Sequence, residues 1–242
     1  MHTYPIFMEL SFDGTAYHGW QIQPNSSSVQ GTIEDALTKL NGNIQVHIVG
    51  CGRTDTGVHA KQYFIHFNMP FDNLEQLVYR LNKILPQDIK IIQAYRKAIH
   101  ARFDAKQRTY RYFIETTKNP FNNRFCWHNE RRLSIDKMNE ACRFLIGEMD
   151  FASFAKGDTD VKTTICTVFS AEWKETSTGY MFEVTANRFL RNMVRAMVGT
   201  LIEVGLGHVA PEEIKEILHK KSRQEAALSV PAKGLFLWQV LY

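Results

Sequence analysis

The sequence predicts an α+β fold made of two β-α-β-β-α-β halves with largely antiparallel sheets, and three observations carry that prediction. Apolar residues recur with a period of two and then of about 3.6, in the same order, twice along the chain. The 242 residues, 44% of them hydrophobic, suffice for one large domain or two small ones without disulfides. The positive charge is concentrated where the two halves meet.

In the first half, Ile6, Met8, Leu10 and Phe12 alternate with more polar residues and predict a strand with one buried face. Asp13-Gly14-Thr15 is a turn; Ser11 stands where a phosphatase D-x-D-G-T motif would need its nucleophilic aspartate. Val29, Ile33, Leu37 and Leu40 fall at helical spacing. Two β-rich runs, 44–49 and 62–67, flank a glycine-containing loop. Leu74, Leu77, Val78, Leu81 and Leu85 predict a second helix, ended by Pro86, and 88–95 a closing strand.

The second half repeats the order. Residues 109–115 alternate, with Tyr110, Tyr112 and Ile114 on one face and Arg111 and Phe113 on the other. Ser134 caps a helix to about 145, residues 163–173 and 180–186 form a hairpin, and 189–204 and 212–219 are helical before a last strand at 235–240. This is the order of the ferredoxin-like unit, which RRM modules also use. The expected halves are 1–104 and 105–242, flanking a central basic cleft.

The net charge of +4 is uninformative until it is located. Residues 96–132 hold ten basic residues, Arg102, Arg108 and Arg111 among them, against three acidic ones; this +7 leaves −3 for the rest of the chain. Aromatic residues interleave with the basic ones. Cations for phosphates beside rings for bases is a composition suited to RNA, whereas a solvated charged face with core rings is the plainer reading. Cys51, Cys126, Cys142 and Cys166 form no C-x-x-C pair, which fits reduced thiols. No signal peptide or membrane span is expected, so the expected location is the cytoplasm. Neither a Walker A motif nor a dinucleotide fingerprint occurs, and no metal site or cofactor is expected.

The loop between the third and fourth elements is the candidate site. It reads Gly50-Cys51-Gly52-Arg53-Thr54-Asp55-Thr56-Gly57-Val58-His59-Ala60. Its glycines allow an ordered turn in which Arg53 and Asp55 lie side by side, and a carboxylate beside a guanidinium suits a nucleophile better than a general acid. His59 has no partner at metal-ligand spacing and reads as structural. Continuing the helical period from Phe189 places Arg188, Arg191 and Arg195 on one stripe opposite the apolar residues, an arrangement that makes sense facing anions.

This loop closely resembles the G-R-T-D-x-G-V-H-A signature of the tRNA pseudouridine synthase A family. Further family-like segments span nearly the whole chain: 12–21 (FDGTAYHGWQ), 28–30 (SVQ), 100–105 (HARFDA), 108–112 (RTYRY), 192–195 (NMVR), Val198-Gly199 and 231–235 (PAKGL). Thr56, where alanine is usual, and Arg191-Asn192, where two histidines can stand, depart from the commoner pattern. The resemblance implies isomerisation of uridine to pseudouridine at positions 38, 39 and 40 of the tRNA anticodon stem-loop, with no cofactor, by a homodimer. It implies Asp55 as the catalytic nucleophile, Tyr110 packed on the uracil, Arg195 paired with the aspartate, Leu235 beside the base and Arg53 displacing the nucleotide. Arg102, Arg108, Arg111 and Arg191 are the expected RNA contacts. Whether Asp55 attacks C1′, attacks C6 or acts as a base toward the ribose is open at this level. The competing class is a tandem RRM-like protein that binds RNA without catalysis, for which Asp55 would have no use.

Overall fold

A computed structural model of the chain describes residues 3–157 and 162–242. The chain divides into two units: one runs to Lys106 and takes in Leu237–Tyr242, and the other spans Gln107–Phe236. Both mix helices with mostly antiparallel strands, so the class is α+β.

The first unit contains β1 (Tyr4–Phe12), α1 (Val29–Leu40), β2 (Val49–Gly50), β3 (His59–Met69), α2 (Leu74–Ile84) and β4 (Ile89–Tyr95). Its strands lie in the order β4-β1-β3, with β2 also paired to β3. The central β1 pairs Met8 with Ile65 on one side and with Ala94 on the other. The expected buried face of β1 is present, with Ile6, Met8 and Leu10 fully buried, but Phe7 on the opposite face is buried as well, stacked on Phe64, so the strand is covered on both faces there. Ser28 caps α1, its Oγ accepting from the Gly31 N–H at 3.1 Å, which satisfies one of the donors a helix start leaves open. Ile33, Leu37, Leu77 and Leu81 are fully buried on α1 and α2, each stabilising the unit by about 1.5–3 kcal/mol.

The expected strand at 44–49 is reduced to Val49 and Gly50. The backbone before it bonds side chains of α1 instead of a sheet: Val46 N–H donates to Thr38 Oγ1 (3.2 Å) and Ile48 N–H to Glu34 Oε1 (3.0 Å). Gly42 and Asn43, both at φ 66°, turn the chain onto that helix.

The second unit contains β5 (Gln107–Glu115), β6 (Trp127–His128), α3 (Ile135–Arg143), β7 (Gly147–Asp150), β8 (Ile165–Thr176), β9 (Gly179–Ala186), α4 (Met193–Gly205) and α5 (Glu213–Lys220). Its antiparallel strands run in the order β5-β9-β8-β7, and β6 adds to β5 in parallel. α3 packs on α4 and β8. The expected helix from 189 begins only at Met193, because Asn192 adopts the left-handed conformation (φ 64°) as its N-cap. Arg188 and Arg191 therefore precede the helix, and the expected stripe of three arginines on one helical face is replaced by Arg195 alone.

The last strand, β10 (Leu235–Leu241), begins in the second unit and ends in the first. Residues 237–242, expected with the second half, instead pack in the first unit: Val240 N–H donates to Gln62 Oε1 (3.0 Å), and Tyr242 meets Phe7 and Phe64 edge-on. The Tyr242 hydroxyl donates to the Ala101 carbonyl (2.7 Å), while the Ala101 N–H donates to Nδ1 of His66 (3.0 Å).

That last bond requires His66 to be neutral at Nδ1, and burial, with the nearby His100, holds its pKa below the ordinary 6.5. Below about pH 6.5 the unfolded chain takes up a proton that the folded chain resists, so the stability from the neutral ring is complete above that pH and is lost as pH falls through the folded pKa. Urea midpoints are expected to decline between about pH 7 and pH 5, and His66→Gln, whose amide oxygen can still accept the Ala101 N–H, to flatten that slope.

All four cysteines are buried, and burial pushes the thiols of Cys126, Cys142 and Cys166 up to about 11, 12 and 11, which leaves them unreactive near neutrality. Among the described residues, no helix is long and apolar enough to cross a membrane.

Candidate active site

The loop carrying Asp55 joins β2 to β3 and is built into the first unit by backbone bonds. Cys51 N–H donates to the Phe64 carbonyl (2.8 Å) and the Tyr63 hydroxyl to the Gly52 carbonyl. Val58 N–H donates to the Asp55 carbonyl (3.1 Å), closing a turn around Gly57, whose φ of 75° favours glycine. Asp55 is partly exposed, and its neighbour Thr54 is buried with a hydroxyl that has no hydrogen-bond partner among the described residues.

The stretch from Asp13 to Trp20 forms a cradle against this loop. Trp20 N–H donates to the Thr54 carbonyl (3.2 Å) and Gly57 N–H to the Tyr17 carbonyl (3.3 Å). Tyr17 is itself anchored by its hydroxyl on Asp88 Oδ1 (2.8 Å), and burial together with that carboxylate raises its pKa. The Trp20 indole stacks on Tyr63 at 4.1 Å, with Phe12 against both rings. His59 is buried, its Nδ1 lying 3.0 Å from both the Gly14 N–H and Asp13 Oδ1; depending on tautomer it accepts from the one or donates to the other. Its expected structural part is thus a tie between loop and cradle. The cradle is the part of the site that sequence reasoning missed. Its only signal was the run of glycines and aromatics at 12–21, read there as a turn and a resemblance.

Arg53 and Asp55 were expected to lie side by side in this turn. Among the described residues no ion pair joins them: Arg53 is exposed, where holding such a pair gains little over water, and the buried Thr54 separates the two. Arg102 belongs to the same unit, on a turn where the His100 N–H donates to Asp104 Oδ2 (2.8 Å), and its guanidinium lies over the exposed Phe103 ring at 5.8 Å.

The remaining candidates lie in the second unit. Tyr110 is 9% exposed on β5, with the Phe189 ring edge-on at 5.0 Å. The Tyr112 hydroxyl donates to the Pro231 carbonyl (2.8 Å) and Arg195 Nε to the Val230 carbonyl (2.7 Å), so the 230–235 segment ties β5 to the first turn of α4. Leu235, buried, follows directly. Tyr110, Arg195 and Leu235 are thus carried by elements that this unit links. Arg108 donates to the Asn187 carbonyl (2.9 Å), Arg191 is exposed, and Arg111 is ion-paired with Glu183 across the β5–β9 ladder, so a phosphate would have to compete with that carboxylate. Of the interleaved rings, Tyr110 and Tyr112 are core residues, while Phe103 and Phe121 are exposed.

The arrangement offers one carboxylate on a backbone-locked loop in the first unit. In the second it offers an arginine-bearing helix start beside a strand with two tyrosines. Comparison with known proteins gives this a class. The family model for tRNA pseudouridine synthase matches residues 10–104 and 141–242, and the chain belongs to that family. It is 45% identical to the tRNA pseudouridine synthase A of Parabacteroides distasonis, over 98% of this chain and 95% of that one. It is 40% identical to the protein of the same name from Bacillus subtilis, over 96% and 97% of the two chains.

Proposed function

We propose that this protein isomerises uridine to pseudouridine at positions 38, 39 and 40 of the tRNA anticodon stem-loop, with Asp55 as nucleophile. The observation that carries the reading is Asp55 on a loop locked by the cradle, in a chain matched almost end to end by relatives bearing the synthase name. Extruding the target nucleotide costs a few kcal/mol, which phosphate contacts by Arg102, Arg108, Arg111 and Arg191 offset. Arg53 helps displace the nucleotide, Tyr110 packs on the uracil, Leu235 lies beside it, and Arg195 keeps Asp55 anionic. The bond from C1′ to N1 breaks, the base turns, and C5 bonds to C1′. The C5 proton is released and N1 takes one up, so no electrons are gained or lost and no cofactor is required. The reading includes two ferredoxin-like halves, a cytoplasmic homodimer and one tRNA spanning both subunits.

The test is release of tritium from tRNA labelled at uridine C5. The protein is expected to release label from these positions, and no release from a competent tRNA would overturn the reading.

A further inference from the structure

A cavity of about 230 Å³ lies within the second unit, at the hairpin end of β8 and β9. Its walls include Phe113, Phe125 and Phe236, with Phe113 edge-on to Phe236 at 5.5 Å. Its polar side holds Glu115, only 7% exposed, whose Oε1 accepts from Asn122 Nδ2 at 2.8 Å. The buried Cys126 thiol donates to the Asn122 carbonyl (3.2 Å), and both burial and the Glu115 carboxylate hold it protonated. None of these residues has a part in the proposed reaction.

The volume is below the ~300–1,000 Å³ of pockets for drug-sized ligands and suits a single planar ring system. The walls are π-faces, and the buried Glu115 carboxylate accepts hydrogen bonds, so the ring must present N–H donors. Arg124 lies over the Phe125 ring (5.4 Å), and Lys233, bonded to Asn123 Oδ1 (2.7 Å), acts on Cys126 electrostatically. These two cations do not line the cavity but act on residues that do, Phe125 and Cys126, which disfavours a cationic donor such as a guanidinium and favours one that carries a phosphate. We propose that this cavity holds an unstacked, amino-bearing nucleobase of the RNA substrate, read by Glu115 and separate from the uridine on which Asp55 acts. The proposal rests on the reading of the protein as an RNA-modifying enzyme. Guanine fits best, because its N1–H and N2–H₂ place two donors side by side for a carboxylate, whereas uracil flanks its one N–H with two carbonyls.

The experiment titrates GMP, CMP, AMP and UMP into the full-length protein and follows the backbone amide signals of Cys126 and Thr178. GMP is expected to shift them at millimolar concentration, about tenfold more tightly than UMP. Glu115→Gln should remove that preference, and Phe125→Leu, which keeps an apolar wall, should weaken all four nucleotides. No shifts up to about 10 mM, equal response to UMP and GMP, or an undiminished preference in Glu115→Gln would each overturn it. Tritium release by the wild type is read separately, so failure of the pocket leaves the catalytic reading standing, and the converse.

Discussion

Asp55→Asn is expected to lower pseudouridine formation by at least about 10³-fold, with tRNA affinity unchanged or slightly tighter. The substitution keeps the size of the side chain and removes the charge and the nucleophilic oxygen. The bonds that shape the loop, from Trp20 to Thr54, from Gly57 to Tyr17 and from Val58 to Asp55, are made by backbone atoms, so the fold should persist. Removing a negative charge from a site meant to approach phosphates should if anything favour binding. Single-turnover tritium release and filter binding of the same tRNA separate the two effects. Equal release by wild type and Asp55→Asn would remove the nucleophile assignment. A protein that merely binds RNA would release nothing in either form and would bind more tightly as the asparagine variant.

The elements legible in the sequence are those whose signal is a period. The faces of β1, β5, α1 and α2 could be read because each buries a stripe set by the 2.0 or 3.6 repeat. What escaped was decided by groups far apart in the chain or by one backbone angle. Residues 44–48 have β-rich composition, yet Thr38 and Glu34 offer them hydrogen bonds that a strand partner would otherwise supply. The apolar pattern of α4 continues back to Phe189, but the left-handed Asn192 interrupts it, and no periodicity records that. β7, four residues long, is too short to show alternation. In the site, Asp55 was legible as part of a motif, whereas its cradle is made by backbone and side-chain contacts between segments far apart in the chain. Glu115 read as the end of a strand, since nothing in its neighbourhood announces a cavity.

The cradle makes a second prediction with a large effect, at a position that touches no substrate. Gly19 sits at φ 91°, and a Cβ there would overlap the Thr54 carbonyl oxygen and press on the Asp55 carbonyl carbon (3.2 Å) and the Thr56 nitrogen (3.3 Å). All three are backbone atoms, which cannot swing aside as a side-chain end can. Gly19→Ala must therefore push the loop away from the cradle by about 1 Å, weakening the bond from Trp20 N–H to Thr54, and accept a strained backbone angle as well. The expected cost is at least about 2 kcal/mol in stability, read as a lower urea midpoint. Because misplacing a catalytic group by about 1 Å can cost roughly 10²-fold in rate, activity per folded molecule should fall by about that factor. Gly52→Ala is the internal control. It lies in the same loop, its φ is not positive, and a Cβ there would meet nothing within 4 Å, so both readouts should stay near wild type. If Gly19→Ala instead matched Gly52→Ala in rate and midpoint, the cradle would have no part in holding Asp55. A loss of stability alone, with the rate per folded molecule intact, would confine the cradle to folding.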